Sequence, residues 1–252
     1  GSEMCIRDSA TTRLNNVCQI VQKTVIVSGT QRAVVSAGRA DELEYQVAKA
    51  GRELKRDIES IVLSEHGRVT GSTATARNLA GIETWLSTNK VIAATATTPG
   101  GGTALVDGSA VTMTAGVLKA ALDTVIQQCW TAGGDPTVIM VPGTGKVTAS
   151  QMTGIATLYR DVPPKSQGQI IAGADVYVSN FGNHTIVPNR FMRTRTALVL
   201  DMEYWALAEL RPMMTTPLAK TGDNDKRQLL SELTLQAKNE AASGKVGDIA
   251  YA

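Results

Sequence analysis

From about Arg39 to Ser64 the apolar residues Leu43, Val47, Ala50, Leu54, Ile58 and Ile61 recur at three- and four-residue steps. That spacing puts them on one narrow face of an α-helix. At ~1.5 Å per residue the helix is about 39 Å long, longer than most in globular proteins. Leu54 and Ile58 on the stripe are expected to be buried against a sheet. The opposite face carries Lys49, Arg52 and Arg56 at the same spacing, with Glu42, Glu53 and Asp57 alongside. Lys49 with Glu53, and Lys55 with Glu59, stand four apart and can pair. A basic row of this kind is most often a solvated face; the sharper reading is a contact surface.

Around this rod the pattern predicts an α+β fold. Residues 16 to 27 are rich in β-branched side chains and end at Ser28-Gly29-Thr30, a strand followed by a turn. A second helix is expected over Ala74 to Ser87, a small-residue mobile loop over 94 to 110, and a third helix over Ala115 to Ala132. Gly133-Gly134-Asp135-Pro136 stops that helix, Thr137 to Val141 reads as a buried strand, and a helix over Ser150 to Tyr159 completes a small α/β layer. The last third reads as strands: a hairpin turning at Asn180-Phe181-Gly182-Asn183, with Pro188 ending its second arm, then Thr196 to Leu200 and Leu233 to Ala237. Arg211 to Asp225, with two prolines, reads as loop. Trp85, Trp130 and Trp205 sit amid apolar periodicity and are expected as core anchors.

Little in the chain points to catalysis. Val141-Pro-Gly-Thr-Gly-Lys-Val-Thr148 resembles a phosphate-binding loop, but such a loop needs a glycine five positions before its Gly-Lys pair and a Ser or Thr directly after it. Met140 and Val147 occupy those positions. The bland reading, a turn leaving a buried strand, is favoured. Cys5, Cys18 and Cys129 show no Cys-x-x-Cys pairing, and His66 and His184 lie far apart, so neither a disulfide framework nor a metal or His-dependent centre is indicated. No cofactor is called for. With 25 basic and 23 acidic residues no global field draws the molecule onto nucleic acid, and no apolar run approaches bilayer length. No membrane partner is expected.

Residues 1 to 9 show neither a signal-peptide core nor helical period and are set apart from the fold. Met4-Cys-Ile-Arg-Asp-Ser9 resembles a translated sequencing-adaptor remnant; on that reading Cys5 is not native and the true N-terminus is missing.

Gly38-Arg39, Glu44-Tyr-Gln-Val-Ala-Lys49 and Glu53-Leu-Lys-Arg-Asp57 resemble the long spine helix of tailed-phage major capsid proteins with the HK97-type fold, and within them the subgroup typified by phage SU10. Lys23 to Thr30 is similar to the returning strand of that family's extended loop. Ser179-Asn-Phe-Gly182, Val187-Pro-Asn-Arg-Phe191, Trp205 to Pro212, Leu218 to Asp223 and Glu232-Leu-Thr-Leu235 resemble its peripheral-domain sheet and C-terminal strands. The resemblance runs from about Thr12 to Ile249; the outgoing half of the extended loop has no counterpart before Arg13.

This resemblance implies an HK97-like fold with an extended-loop strand (10–35), spine helix and peripheral domain (36–90), α/β axial layer (91–165), and antiparallel peripheral and C-terminal strands (166–252). It implies a major capsid protein without enzymatic activity, assembling as hexamers and pentamers into an icosahedral shell around double-stranded DNA. Scaffold, portal or decoration proteins are further partners. The candidate subunit-interface residues are Lys23, Val25, Val27, Lys49, Arg52 and Arg56. On this resemblance the row Lys49, Arg52 and Arg56 is an inter-subunit contact or a surface facing the packaged DNA, which is met by proximity without sequence specificity. The strand at 16 to 27 is expected to find its partner in a missing segment or another subunit. Two other classes stay open: a nucleotide-dependent enzyme using Gly145-Lys146, and a secreted adhesin-like β protein. A capsid protein forms higher oligomers, whereas the other two could be monomeric.

Overall fold

The computed structural model describes residues 14–34, 38, 41–152 and 175–251. Strand β1 (Gln19–Ser28) leads through a short helix α1 (Gly29–Ala33) to the long helix α2 (Glu42–Val62). Strands β2 (Asn89–Val91) and β3 (Val111–Met113) precede α3 (Ala115–Thr131), which is followed by β4 (Val138–Val141) and α4 (Gly143–Ser150). Then come β5 (Val176–Ser179), β6 (Gly182–Pro188), β7 (Ala197–Leu200), the long pair β8 (Trp205–Leu218) and β9 (Asn224–Ala237), and β10 (Gly244–Val246) and β11 (Ile249–Tyr251).

The rod is α2. Asp41 caps it by accepting the Leu43 N–H at 2.8 Å, satisfying one of the donors a helix leaves free at its start. Its stripe packs as the spacing requires: Leu54, Ala50, Val21 and Leu229 form one buried cluster, with Val47, Ile58 and Ile61 against it. The cluster is the seam between α2 and an antiparallel sheet ordered β1-β9-β8.

A second sheet, ordered β2-β10-β7-β4-β6-β5, mixes parallel and antiparallel pairs. β7 is buried along its length, and its alternate residues serve two cores. Ala197 and Val199 join Leu118, Leu122, Val125 and Ile126 of α3, while Leu198 and Leu200 join Leu233 and Leu235 of β9. That alternation couples the two sheets. A short parallel pair, β3 with β11, completes the strands.

Several expectations are corrected. β1 has a partner inside the subunit: it pairs antiparallel with β9 from Gln19↔Leu233 to Ser28↔Asn224. In an isolated monomer, hydrogen exchange should therefore find the β9-facing amides of β1 protected; uniformly fast exchange across residues 19–28 would contradict the pairing. The helix expected over 74–87 is only a single 3-10 turn, Ile82–Thr84. Its backbone donors are committed elsewhere: Leu79 N–H to Gln19 Oε1, Ala80 N–H to Asn16 Oδ1 and Gly81 N–H to the His66 carbonyl. Leu79, Ile82, Trp85 and Leu86 are nonetheless buried. An apolar run enclosed on all sides imitates helical periodicity.

The hairpin β5–β6 lies beside β4, so the boundary drawn at 165/166 cuts through one sheet. The helix α4 (Gly143–Ser150) lies where a turn was expected, and of the helix expected over 150–159 the residues 153–159 lie outside the described residues. Residues 94–110 are pinned. Thr97 bridges Val106, Arg193 binds both carboxylate oxygens of Asp107 at 2.9 and 2.7 Å, and the buried Asp248 accepts the Gly108 N–H at 2.7 Å. Beneath that loop Arg193 also reaches Glu83, whose carboxyl is raised by burial. Burial likewise lowers Lys245 to about 8, and its ammonium donates to the Glu83 carbonyl at 2.8 Å. Trp85 and Trp205 are core residues, but Trp130 is 58% exposed, with its ring tilted 38° to that of Phe181.

Candidate assembly surface

The segment read as loop over 211–225 is strand as far as Leu218. Pro212 and Pro217 are compatible with it because β8 is the outer strand of its sheet, where a missing N–H breaks no ladder on the open side. The register shifts between Glu209 and Arg211 and again before Met214, the behaviour of bulges on an edge strand. The chain buckles around Leu210, which is 64% exposed. Leu207, Met214 and Leu218 are exposed along the same strand, and Met202 just before it.

Behind this edge runs a groove of about 610 Å³ between β8, the C-terminal half of α2 and the β4 and β7 strands. Its lining includes Ile58, Val62, Met140, Leu200, Met213 and Leu235. Lys55, Glu59 and Glu209 also line it, and Glu59 accepts from Asn189 Nδ2 at 2.6 Å. A continuous apolar surface bordered by charge is the signature of an interaction site. Sequence reasoning missed it because the two prolines outweighed the apolar residues on either side of them.

The residues selected from sequence fall into two groups. Val27 is buried, Val25 packs against the α2 seam, and Lys23 pairs with Glu53, so these three are engaged within the subunit. The Lys23 ammonium holds the Glu53 carboxyl below the usual carboxylate range. Lys49, Arg52 and Arg56 are exposed. The helical pairs Lys49–Glu53 and Lys55–Glu59 do not form ion pairs, because both carboxylates are claimed from outside the helix.

The loop that resembles a nucleotide site is the first turn of α4. Lys146 turns away from it, donating to Asp175 Oδ1 at 2.9 Å and to the Ile186 carbonyl at 2.8 Å. A side chain at Gly145 would come within 2.8 Å of the Tyr251 ring, so that glycine serves packing. Calorimetric titration with Mg-ATP or Mg-GTP should be flat for the protein and for Lys146→Ala. Saturable micromolar binding lost on substitution would overturn this. His184 is buried, with one ring nitrogen 2.6 Å from the Pro136 carbonyl and the other 2.7 Å from Ser179 Oγ; it stitches the β5–β6 hairpin to the loop before β4. Among the described residues no His, Cys, Asp and Glu cluster could hold a metal ion, and no helix is long and apolar enough to cross a membrane.

The fold resembles solved shell proteins. A cyanophage A-1(L) capsid chain superposes with a TM-score of 0.65 at 13% identity, covering 92% of this chain and 77% of that one. A chain of the satellite phage P4 procapsid gives 0.57 at 12% identity, covering 97% and 75%. These likenesses establish an HK97-like capsid fold. In sequence, the major capsid protein of Escherichia phage Phieco32 is 28% identical over 91% of this chain and 74% of its own length. Residues 6–250 match the SU10 major capsid protein family. On that match, spanning nearly the whole chain, and on the fold that accompanies it, this chain belongs to the SU10 major capsid protein family.

Proposed function

We propose that copies of this chain meet noncovalently through β8 and the groove behind it, building hexamers and pentamers of an icosahedral shell that encloses the double-stranded DNA of a tailed phage. The observation that carries this reading is the exposed apolar edge and groove on a phage major capsid protein. In a free subunit that surface is wet; a neighbouring copy removes it from water, at roughly 25 cal/mol per Å² of apolar area covered. Many weak identical contacts then suffice, because each copy is held by several neighbours.

In this reading the sheet β1-β9-β8 with α2 is the peripheral unit, and the six-stranded sheet with α3 and α4 is the axial unit. The work is structural rather than catalytic. Assembly takes place in the host cytoplasm, with scaffold, portal or decoration proteins as additional partners. Sedimentation velocity over a concentration series tests the core of it: mass should rise to oligomers as concentration rises. A species that stays monomeric throughout would contradict the proposal.

A further inference from the structure

We infer that the outward row of α2, Lys49, Arg52 and Arg56, is a sequence-independent seat for the phosphate backbone of duplex DNA. The argument begins with how the charges of α2 are used. Glu44 binds Arg227 at 2.7 Å, Glu53 binds Lys23, Glu59 accepts from Asn189, and Glu42 accepts from Gln46 at 2.7 Å. The acids of the helix are thus largely drawn inward or sideways by β1, β9, residue 189 and the helix itself. Its bases are not. Lys49, Arg52 and Arg56 are exposed, and none has an ion-pair partner among the described residues. The remaining charges on this side are Lys55, Asp57 and Glu59, all exposed, and Glu53, which also feels Lys49 and Arg56 at longer range.

The composition of the row selects the partner. Protein interfaces have an apolar centre and a polar rim, whereas Tyr45 is the one exposed large apolar side chain described on α2. Surfaces that bind nucleic acid are positively charged and wet, as this one is. From Lys49 to Arg56 the helix rises about 10 Å, and each DNA strand presents a phosphate about every 3.4 Å of duplex axis. The row therefore reaches more than one phosphate. Gln46, one turn before Lys49, spends its amide on Glu42, and the row itself holds only cations, so the contact is indifferent to sequence. This deepens the shell reading, because an enclosing shell must present some face to its genome, but it is tested separately.

The test is fluorescence anisotropy of the whole chain with a random-sequence DNA duplex of ~20 base pairs, titrated at several salt concentrations. Three phosphate contacts predict a log–log salt slope near −2.7, about a 40-fold loss of affinity between about 50 and about 200 mM salt. K49Q/R52Q/R56Q should abolish measurable binding, each single substitution should reduce the slope by about one, and K238Q, just past the end of β9, should leave it unchanged. The single variants keep the test valid if the triple variant's thermal melt shifts. No binding at low salt, or a slope unchanged in the triple variant, overturns the assignment. So does a triple variant that binds DNA normally but no longer oligomerises, since the row would then be a subunit contact.

Discussion

Leu54→Ala should lower the stability of the subunit by about 2–5 kcal/mol, read from denaturant melts. Leu54 is fully buried where α2 crosses β1 and β9, against Val21, Ala50 and Leu229. The seam is small, and its backbone on both sides is held in regular helix and sheet, so the space left by three lost carbons cannot collapse freely. A domain holds only about 5–15 kcal/mol in total, and a loss of this size moves the melting midpoint substantially. Lys49→Ala on the opposite face should stay within about 0.5 kcal/mol. A Leu54→Ala cost as small as that would mean that the helix does not pack by this stripe.

The second large effect is on assembly rather than folding. Leu207→Asp combined with Met214→Asp should leave the monomer's melt nearly unchanged, because both side chains are about half exposed in the free subunit, at 52% and 46%. The same carboxylates at a contact between copies would be desolvated without partners, at a cost of several kcal/mol for each contact. Because the penalty recurs at every contact, particle formation should disappear while the fold persists. Normal particle yield from the double variant would remove β8 from the interface.

The parts of the fold that sequence made legible are those governed by local period. The α2 stripe, the α3 helix with its Gly133 stop and the β5–β6 hairpin all follow from spacing and turn chemistry, and the structure shows them where expected. What escaped depends on contacts distant in sequence. The partner of β1 lies some two hundred residues downstream in β9, and no local pattern encodes that pairing. The run at 79–86 looked helical, yet Gln19 and Asn16 take its amides. Trp130 follows Cys129, the last buried member of the α3 stripe, and at about 100° round the helix from it its ring is left largely in solvent beside Phe181.

The candidate surface was legible only in part. The basic row could be read from helical spacing, but which of its charges were free could not, since that was decided by Lys23, Arg227 and Asn189 reaching across to the acids. The β8 edge was hidden because Pro212 and Pro217 argue against a central strand, and only the sheet order shows that β8 is an outer one.

Electron cryomicroscopy of particles formed by this chain tests the central claim most directly. The account predicts closed shells in which Leu207, Leu210 and Met214 of one copy, with the groove bounded by Ile58, Met140 and Met213, are covered by a neighbouring copy. Shells in which β8 and that groove face open solvent, or a chain that stays monomeric at every concentration, would contradict it.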